Sequence, residues 1–333
     1  MTDPALPFTL EQVALGNHAF EGNNNAYLLT GDGPTTLLDT GVVQSEGELE
    51  SGLAEFGVSF ADIDQVILTH WHGDHAGLAG TIQAASGAPV YAHTLDAPIV
   101  CGDPDAQAAM DARIEERLLA WGMPDAEREE LLDFLDGAGG EGRYAEVTEF
   151  EAGATFEAGD AELEAVHLPG HTMGLTGFEV AGRDGTELFS GDALLPYYTP
   201  NVGGADTRVD DPLADYLDTL ETIVAGDYTR AWPGHRGAII DPAGRAKDIA
   251  VHHRERTDRV LSVLEDGPAT AWEVSAALFG DLHSIHVLHG PGEAFAHLHH
   301  LETGGKVERD GTRYALVDDS DVDALFPAIA LGN

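Results

Sequence analysis

The chain has 333 residues, 43% of them hydrophobic. That suffices for a catalytic domain of about 240 residues plus a small appendage, and it excludes a wholly disordered chain. The 59 Asp and Glu against 16 Lys and Arg give a formal net charge of −43. This imbalance is spread along the chain rather than gathered in a tail, which opposes ordinary polyanion binding and suits a surface kept soluble in concentrated salt. A halophilic source is expected. The lone Cys101 excludes an intrachain disulfide and a thiolate-rich metal site, so any metal ligands must be His and carboxylate. The opening MTDPALPFTL lacks the basic start and apolar run of a signal peptide. No stretch approaches the roughly 20 apolar residues of a membrane helix, so a cytoplasmic location without a membrane partner is expected.

In chain order, apolar runs at AYLLTGDG around Tyr27, TTLLDTG ending at Gly41 and QVILTHWHGDH from Gln65 predict strands. Amphipathic stretches from Pro104 to about Trp121 and from Asp125 to Leu135 predict helices, the second closing in a glycine-rich turn at Gly137–Gly140. From Val147 the strand pattern resumes, with Asp184-Gly185 as a tight hairpin turn. Strands, helices, strands and helices in that order suggest two packed αβ halves.

The character changes after His235. A long helix is expected from Asp241 to Leu264, and Thr270-Ala271-Trp272-Glu273 is a capping box opening a second helix. A third runs through AFAHLHHLETGGK, and KVERDGTRYALV folds back at Asp310-Gly311. Helices followed by a two-stranded wing outline a winged helix-turn-helix module. The expected division is residues 1–240 and residues 241–333.

The strongest chemical signal is His70-Trp71-His72-Gly73-Asp74-His75, just after the apolar run VILT. At a strand end, His70 and His72 emerge on the same side and a short loop lets neighbouring side chains converge. Imidazole and carboxylate are the ligand types that suit zinc and similar divalent ions. Further candidates follow strand-like runs: His171 in Leu168-Pro169-Gly170-His171-Thr172, Asp192 in Phe189-Ser190-Gly191-Asp192, and His235 in Trp232-Pro233-Gly234-His235.

His-x-His-x-Asp-His, then Pro-Gly-His-Thr, Gly-Asp and Pro-Gly-His in this order resemble the metallo-β-lactamase superfamily, from about residue 10 to residue 240. The resemblance implies an α/β fold, a four-layer αβ/βα sandwich, with two metal ions at one edge of its sheets. It implies that His70, His72 and His171 hold one ion, that Asp74, His75 and His235 hold the other, and that Asp192 bridges them. Two zinc ions are expected, with iron or manganese as alternatives. A bridging hydroxide would be the nucleophile, and Asp74 would both ligate and orient it. Asp39 in Leu38-Asp39-Thr40-Gly41 matches the family's strand-end aspartate, which orients a ligand; capping a turn is its other reading. Hydrolysis of β-lactams is not expected, because most of the family's β-lactamases are exported.

The tail from about His253 to Leu316 resembles the winged-helix domain of a subgroup that includes a β-lactamase-like endoribonuclease. Two substrate classes follow. Small esters, thioesters or lactones suit the glyoxalase-II-like branch, although the replaced C-terminal region argues against glutathione. Single-stranded RNA is the alternative, with Arg254, Arg256 and Arg259 as phosphate contacts, but ion pairing of this helix to Glu255 and Asp258 is the favoured reading. The module could instead serve protein assembly, and a homodimer is compatible with the sequence. Tyr197, Tyr198 and Asn201 fall where a substrate pocket belongs. His93 and His167 are expected to be buried, hydrogen-bonded histidines, and His297, His299 and His300 to pack on a helix without a carboxylate partner; His252 and His253 have no assigned role.

The acidic surface makes salt a stability variable, because the Debye length shrinks to roughly 3 Å near 1 M salt and screens self-repulsion. Thermal unfolding is expected to shift to higher temperature from about 0.1 M to about 2 M KCl. A midpoint that does not move with KCl would contradict the halophilic reading.

Overall fold

The computed structural model describes residues 6–17, 22–138 and 142–331. Among these, two sheets face each other. The first holds β1 (Thr9–Asn17), β2 (Gly22–Thr30), β3 (Thr36–Leu38), β4 (Gln65–Ile67), β5 (Val90–His93) and β6 (Val147–Phe150), side by side in that order. β1, β2 and β3 pair antiparallel, and β3 to β6 run parallel. The second sheet runs β11 (Arg230–Pro233), β10 (Thr186–Gly191), β9 (Thr176–Ala181), β8 (Ala161–His167), β7 (Thr155–Ala158), with β10 and β11 parallel and the rest antiparallel.

The central strands are buried on both faces, which is why they read as nearly continuous apolar runs rather than alternating ones. The two-residue period then assigns each side chain to a layer. Leu10, Tyr27, Leu29, Leu38 and Ile67 point between the sheets, where they meet Phe156, Phe178, Phe189 and Trp232. Their neighbours Val13, Leu15, Ala26, Leu28, Leu37 and Val66 point the other way, into a core shared with α1 (Glu46–Ala54) and α3 (Ala79–Ser86), which flank the short α2 (Gly73–Ala76). The far face of the second sheet, through Leu168, Leu188 and Ala231, packs on α5 (Pro104–Ala120) and α7 (Pro212–Ala225), with α4 (Ala97–Val100) and α6 (Asp125–Ala138) preceding and following α5. Three apolar layers between four layers of secondary structure give the expected α/β sandwich.

The C-terminal unit comprises α8 (Pro242–Glu265), α9 (Ala271–Phe279), α10 (His286–Thr303) and a small sheet in which β12 (Ala269–Thr270) pairs with β14 (Arg313–Leu316), itself hairpinned to β13 (Val307–Asp310). The Thr270–Glu273 capping box forms on both sides, and Gly185 and Gly311 adopt the positive φ that their hairpin turns require. This unit has no core of its own: Val260, Leu264, Phe295, Leu298 and Tyr314 belong to the same cluster as Leu118, Trp121 and Leu213.

The structure departs from the sequence expectations in three places. β1 and α7 are additions to the predicted elements, and α6 runs on to Ala138, so the expected turn is partly helix while Gly139 and Gly140, like residues 1–5, lie outside the described residues. Helix α10 begins at His286, through Gly290-Pro291-Gly292, where propensity alone would stop a helix. Its glycines explain the tolerance: a Cβ at Gly292 would meet the backbone of Gly204, and one at Gly290 would meet Leu282 and Ser275. Gly292→Ala is therefore expected to destabilise the protein by about 1–3 kcal/mol through overpacking, measured by denaturant unfolding in KCl. A variant as stable as the parent would show that the crossing relaxes freely.

Candidate metal centre

The seven sequence-predicted residues converge at the joined ends of the two sheets. Thr176 N donates to Thr69 O (2.8 Å) and Asn25 N to Gly234 O (2.8 Å), so the strand-end loops of both sheets are tied together here. His70, His72 and His171 form one group whose ligand-type atoms lie within 4.8 Å of each other, and Asp74, His75 and His235 form a second. Asp192 stands between them, Oδ2 being 3.6 Å from His171 Nε2 and 3.2 Å from His235 Nε2, and Oδ1 3.6 Å from His75 Nε2.

Each imidazole has its remote nitrogen tied to an acceptor outside the cluster. His72 Nε2 donates to Ala205 O (2.9 Å), His171 Nδ1 to Asn201 O (2.8 Å) and His235 Nδ1 to Asn23 O (2.5 Å). Asp39, at φ 59°, accepts from His75 Nδ1 (2.9 Å), Thr69 N and Thr69 Oγ1 (both 2.8 Å), and Thr69 Oγ1 in turn accepts from His70 Nδ1 (3.0 Å). Asp39 thus does more than cap a turn: it orients two of the imidazoles. These bonds set the tautomers, so in its neutral form every ring turns a lone pair inward.

The inward atoms crowd against one another. His70 Nε2 and His171 Nε2 lie 3.0 and 3.1 Å from His72 Nδ1. Nitrogens bound to one ion at about 2.0–2.1 Å in tetrahedral geometry sit roughly 3.3 Å apart, close to this spacing. His75 Nε2 and Asp192 Oδ1 are buried without a hydrogen-bond partner. Converging lone pairs of this kind are costly unless a cation sits among them, so the donor set fits divalent ions.

The electrostatics point the same way. Burial opposes the charged form of Asp192, but the imidazoles of His235 and His75 outweigh it and hold its carboxyl well below the usual carboxylate range. Burial and then the neighbouring His75 and His72 push His70 far down; burial and His171 take His72 to about 4. Burial also lowers His171. Burial depresses His75 and His235, yet Asp192 and Asp74 together, with Asp39 at His75, outweigh it and lift His75 well above 6.5 and His235 to about 8.

Several supporting groups escaped the sequence analysis. Asn17 and Asn24 both donate to Asp74 Oδ2 (3.2 and 3.0 Å). Arg208 bridges Asp96 and Asp206 (2.7 and 2.6 Å), which accept from Trp71 N and Met173 N and so brace both histidine loops. Only chain order separates them from ordinary polar residues, and no spacing rule marks them. Tyr197 is exposed at 79%, whereas Asn201 lies on the loop that carries the acceptors for His171 and His72. His93 stacks on His167 and both are hydrogen-bonded, as expected, but only His93 is buried and His167 is half-buried. His297 is buried beside His253 and, contrary to expectation, does have a carboxylate neighbour, Glu293 one turn earlier. His299 pairs with Asp211, and His300 donates to Leu325 O.

In the metal-free protein, the raised His75 and His235 contribute stability below about pH 6.5 that is lost as pH climbs through about 8. The depressed His70, His72 and His171 bind no proton in the fold where the unfolded chain does, so stability also falls below about pH 6.5. The thermal midpoint of chelator-treated protein is expected to peak near pH 6.5 and decline towards about pH 9. A profile that rises steadily over that alkaline range would contradict this assignment of charges.

Residues 19–235 match the Metallo-beta-lactamase superfamily, and residues 257–315 match the Metallo-beta-lactamase-like, C-terminal domain. A probable metallo-hydrolase of Bacillus subtilis (strain 168), YqjP, is 29% identical over 84% of this chain and 88% of its own. A beta-lactamase-like protein 2 homolog of Drosophila melanogaster is 27% identical over 73% of this chain and 69% of its own. The crystal structure of a metallo-beta-lactamase family protein from Thermus thermophilus superposes with a TM-score of 0.77 at 30% identity, over 92% of this chain and 98% of that one. Among the described residues no helix is long and apolar enough to cross a membrane. With the family's domain spanning the predicted motifs and a relative alike over nearly its whole length, the chain belongs to the metallo-beta-lactamase superfamily and is a metallo-hydrolase.

Proposed function

We propose that this metallo-hydrolase uses two divalent ions to cleave small esters, thioesters or lactones. One ion would be held by His70, His72 and His171, the other by Asp74, His75 and His235, with Asp192 shared. The observation that carries this reading is the pair of ligand-type triads with Asp192 between them, where His75 Nε2 and Asp192 Oδ1 are buried without a hydrogen-bond partner. Zinc suits the imidazole-rich set, with iron or manganese as alternatives, and such ions would activate water and polarise a carbonyl.

The chain's own contribution is alignment. Asn17 and Asn24 hold Asp74, whose side chain is 13% exposed at the mouth, so its carboxylate can orient an incoming water or take its proton. The Asp39–Thr69 hydrogen bonds fix the His70 and His75 rings, so little reorganisation is needed when charge develops.

The C-terminal unit, residues 241–333 beside a catalytic part of residues 1–240, we read as a winged-helix module that closes one side of the site. Two of the three arginines suited to RNA phosphates are engaged, Arg254 with Asp258 and Asp323 and Arg256 with Glu293, which leaves the exposed Arg259. That favours a small molecule over single-stranded RNA as partner.

Zinc-loaded protein in KCl is expected to hydrolyse members of a thioester, ester and lactone panel, with Asp74→Ala and Asp192→Asn lowering kcat/KM by about a hundredfold or more. Chelator should abolish the activity and zinc restore it. Cleavage of single-stranded RNA that vanishes in Asp74→Ala, with the panel untouched, would overturn the proposal.

A further inference from the structure

The metal-facing loop from Asn201 to Asp206 has no regular secondary structure, yet it supplies the acceptors for two imidazoles of one triad. Asn201 O takes the Nδ1 proton of His171, and Ala205 O takes the Nε2 proton of His72. A carbonyl on a free loop would be a poor anchor, so something must hold the loop. The contacts lead to helix α10. Asn201 Nδ2 donates to Glu293 Oε2 (3.0 Å) and to His289 O (3.1 Å), and Val202 N donates to the same Glu293 oxygen (3.4 Å). Asn201 Oδ1 closes the turn by accepting from Gly204 N (3.1 Å), and Gly203 and Gly204 lie directly against the backbone of Gly292.

Glu293 is 5% exposed, in the middle of a helix whose neighbours Ala294, Phe295, Ala296 and Leu298 are apolar and buried. A buried carboxylate costs several kcal/mol unless its oxygens are satisfied, and an apolar residue would pack as well for stability alone. Its other oxygen is held by Arg256 of α8. Glu293 also neighbours His253 and His297, a trio of ligand-type residues. That trio is a poor cation site, because the guanidinium of Arg256 occupies the carboxylate oxygen facing His253, and His297 Nδ1 is bonded to Thr257 Oγ1 (2.7 Å).

We propose that Glu293 and Asn201 are positioning residues for the metal centre: helix α10 of the C-terminal unit, through Glu293 and the Asn201 side chain, fixes the ring orientation and tautomer of His171 and, along the same loop, of His72. The proposal rests on the two-metal reading above. The C-terminal unit is then a working part of the site, because it sets the geometry of one triad while leaving Asp74, His75 and His235 to anchors in the catalytic part, Asn17, Asn24, Asp39 and Asn23.

The test uses the full chain in KCl with Asn201→Ala and Glu293→Gln. Asn201 is only partly buried, so its variant is the one expected to fold should Glu293→Gln leave Arg256 too poorly paired. In metal-free protein, 15N NMR of the imidazoles is expected to show His171 fixed as the Nδ1–H tautomer in the parent and mixed in Asn201→Ala. Zinc titration against a chromogenic chelator should show one of the two ions bound about ten- to a hundredfold more weakly, and the other unchanged. Unchanged affinities with an unchanged tautomer would overturn the proposal, and so would equal weakening of both ions alongside a lowered thermal midpoint, which is what a merely structural role predicts. A parent that fails to bind two ions would sink the two-metal reading, while the metal-free tautomer comparison would still decide the role of Asn201.

Discussion

Converging lone pairs at the rim of the two sheets are the constraint around which the rest of this molecule is arranged. His70, His72 and His171 come within hydrogen-bonding range of one another and His235 of Asp192, with His75 3.6 Å from the same carboxylate, and all of these rings but the half-buried His72 are buried. Such a cluster persists only if every remote nitrogen has an acceptor, because an imidazole free to flip would relieve the crowding by turning its N–H inward. The acceptors come from widely separated segments: Asn23, Asp39 by way of its own bond and that of Thr69, Asn201 and Ala205. The sandwich serves to bring these segments to one rim. Asp39 and Arg236 both sit at positive φ beside this rim, backbone conformations that non-glycine residues adopt at a cost, and here they adjoin the histidine cluster.

Charge is distributed on a similar logic. With 16 Lys and Arg against 59 acidic residues, cations are scarce, and several of them lie inside the molecule rather than on it. Arg208 is held between Asp96 and Asp206 beneath the histidine loops, Arg256 by Glu293 between α8 and α10, and Arg113 and Arg117 by Asp210 beside the loop that follows Asp206. Arg208 and Arg256 neutralise carboxylates that could not otherwise be sheltered from water, whereas Asp210 stays exposed. The surface is correspondingly acidic, and an anionic polymer would find few unengaged guanidinium groups near the C-terminal unit.

That unit shares its core with the catalytic part rather than packing through a polar interface. Trp121, Phe295 and Arg117 stack across the boundary, and the glycines of α10 allow its backbone to touch the loop from Asn201 to Asp206. A contact this close transmits any shift of α10 directly to Asn201, which makes the appendage and the site one mechanical body.

Sequence alone marked the candidate ligands: the His-x-His-x-Asp-His cluster and the later His171, Asp192 and His235 are legible because ligand-type atoms must come from particular residue types at strand ends, and types and strand ends leave a local trace. The strands themselves are legible because burial on both faces demands apolar runs, as at Leu28 and Leu37, and the hairpins because Gly185 and Gly311 stand where positive φ is needed. Tertiary structure decided what holds the ligands. Nothing local distinguishes Asn17, Asn24, Asn201 or Glu293 from other polar residues, and the backbone carbonyls of Asn23 and Ala205 have no side-chain signature at all. It also decided that α10 runs through Pro291, since the reason lies in Gly204, far away in the chain and close in space, and packing free energy outweighs the local preference to end the helix. Ligand identity is a property of single residues, whereas ligand orientation belongs to pairs of residues that only folding brings together.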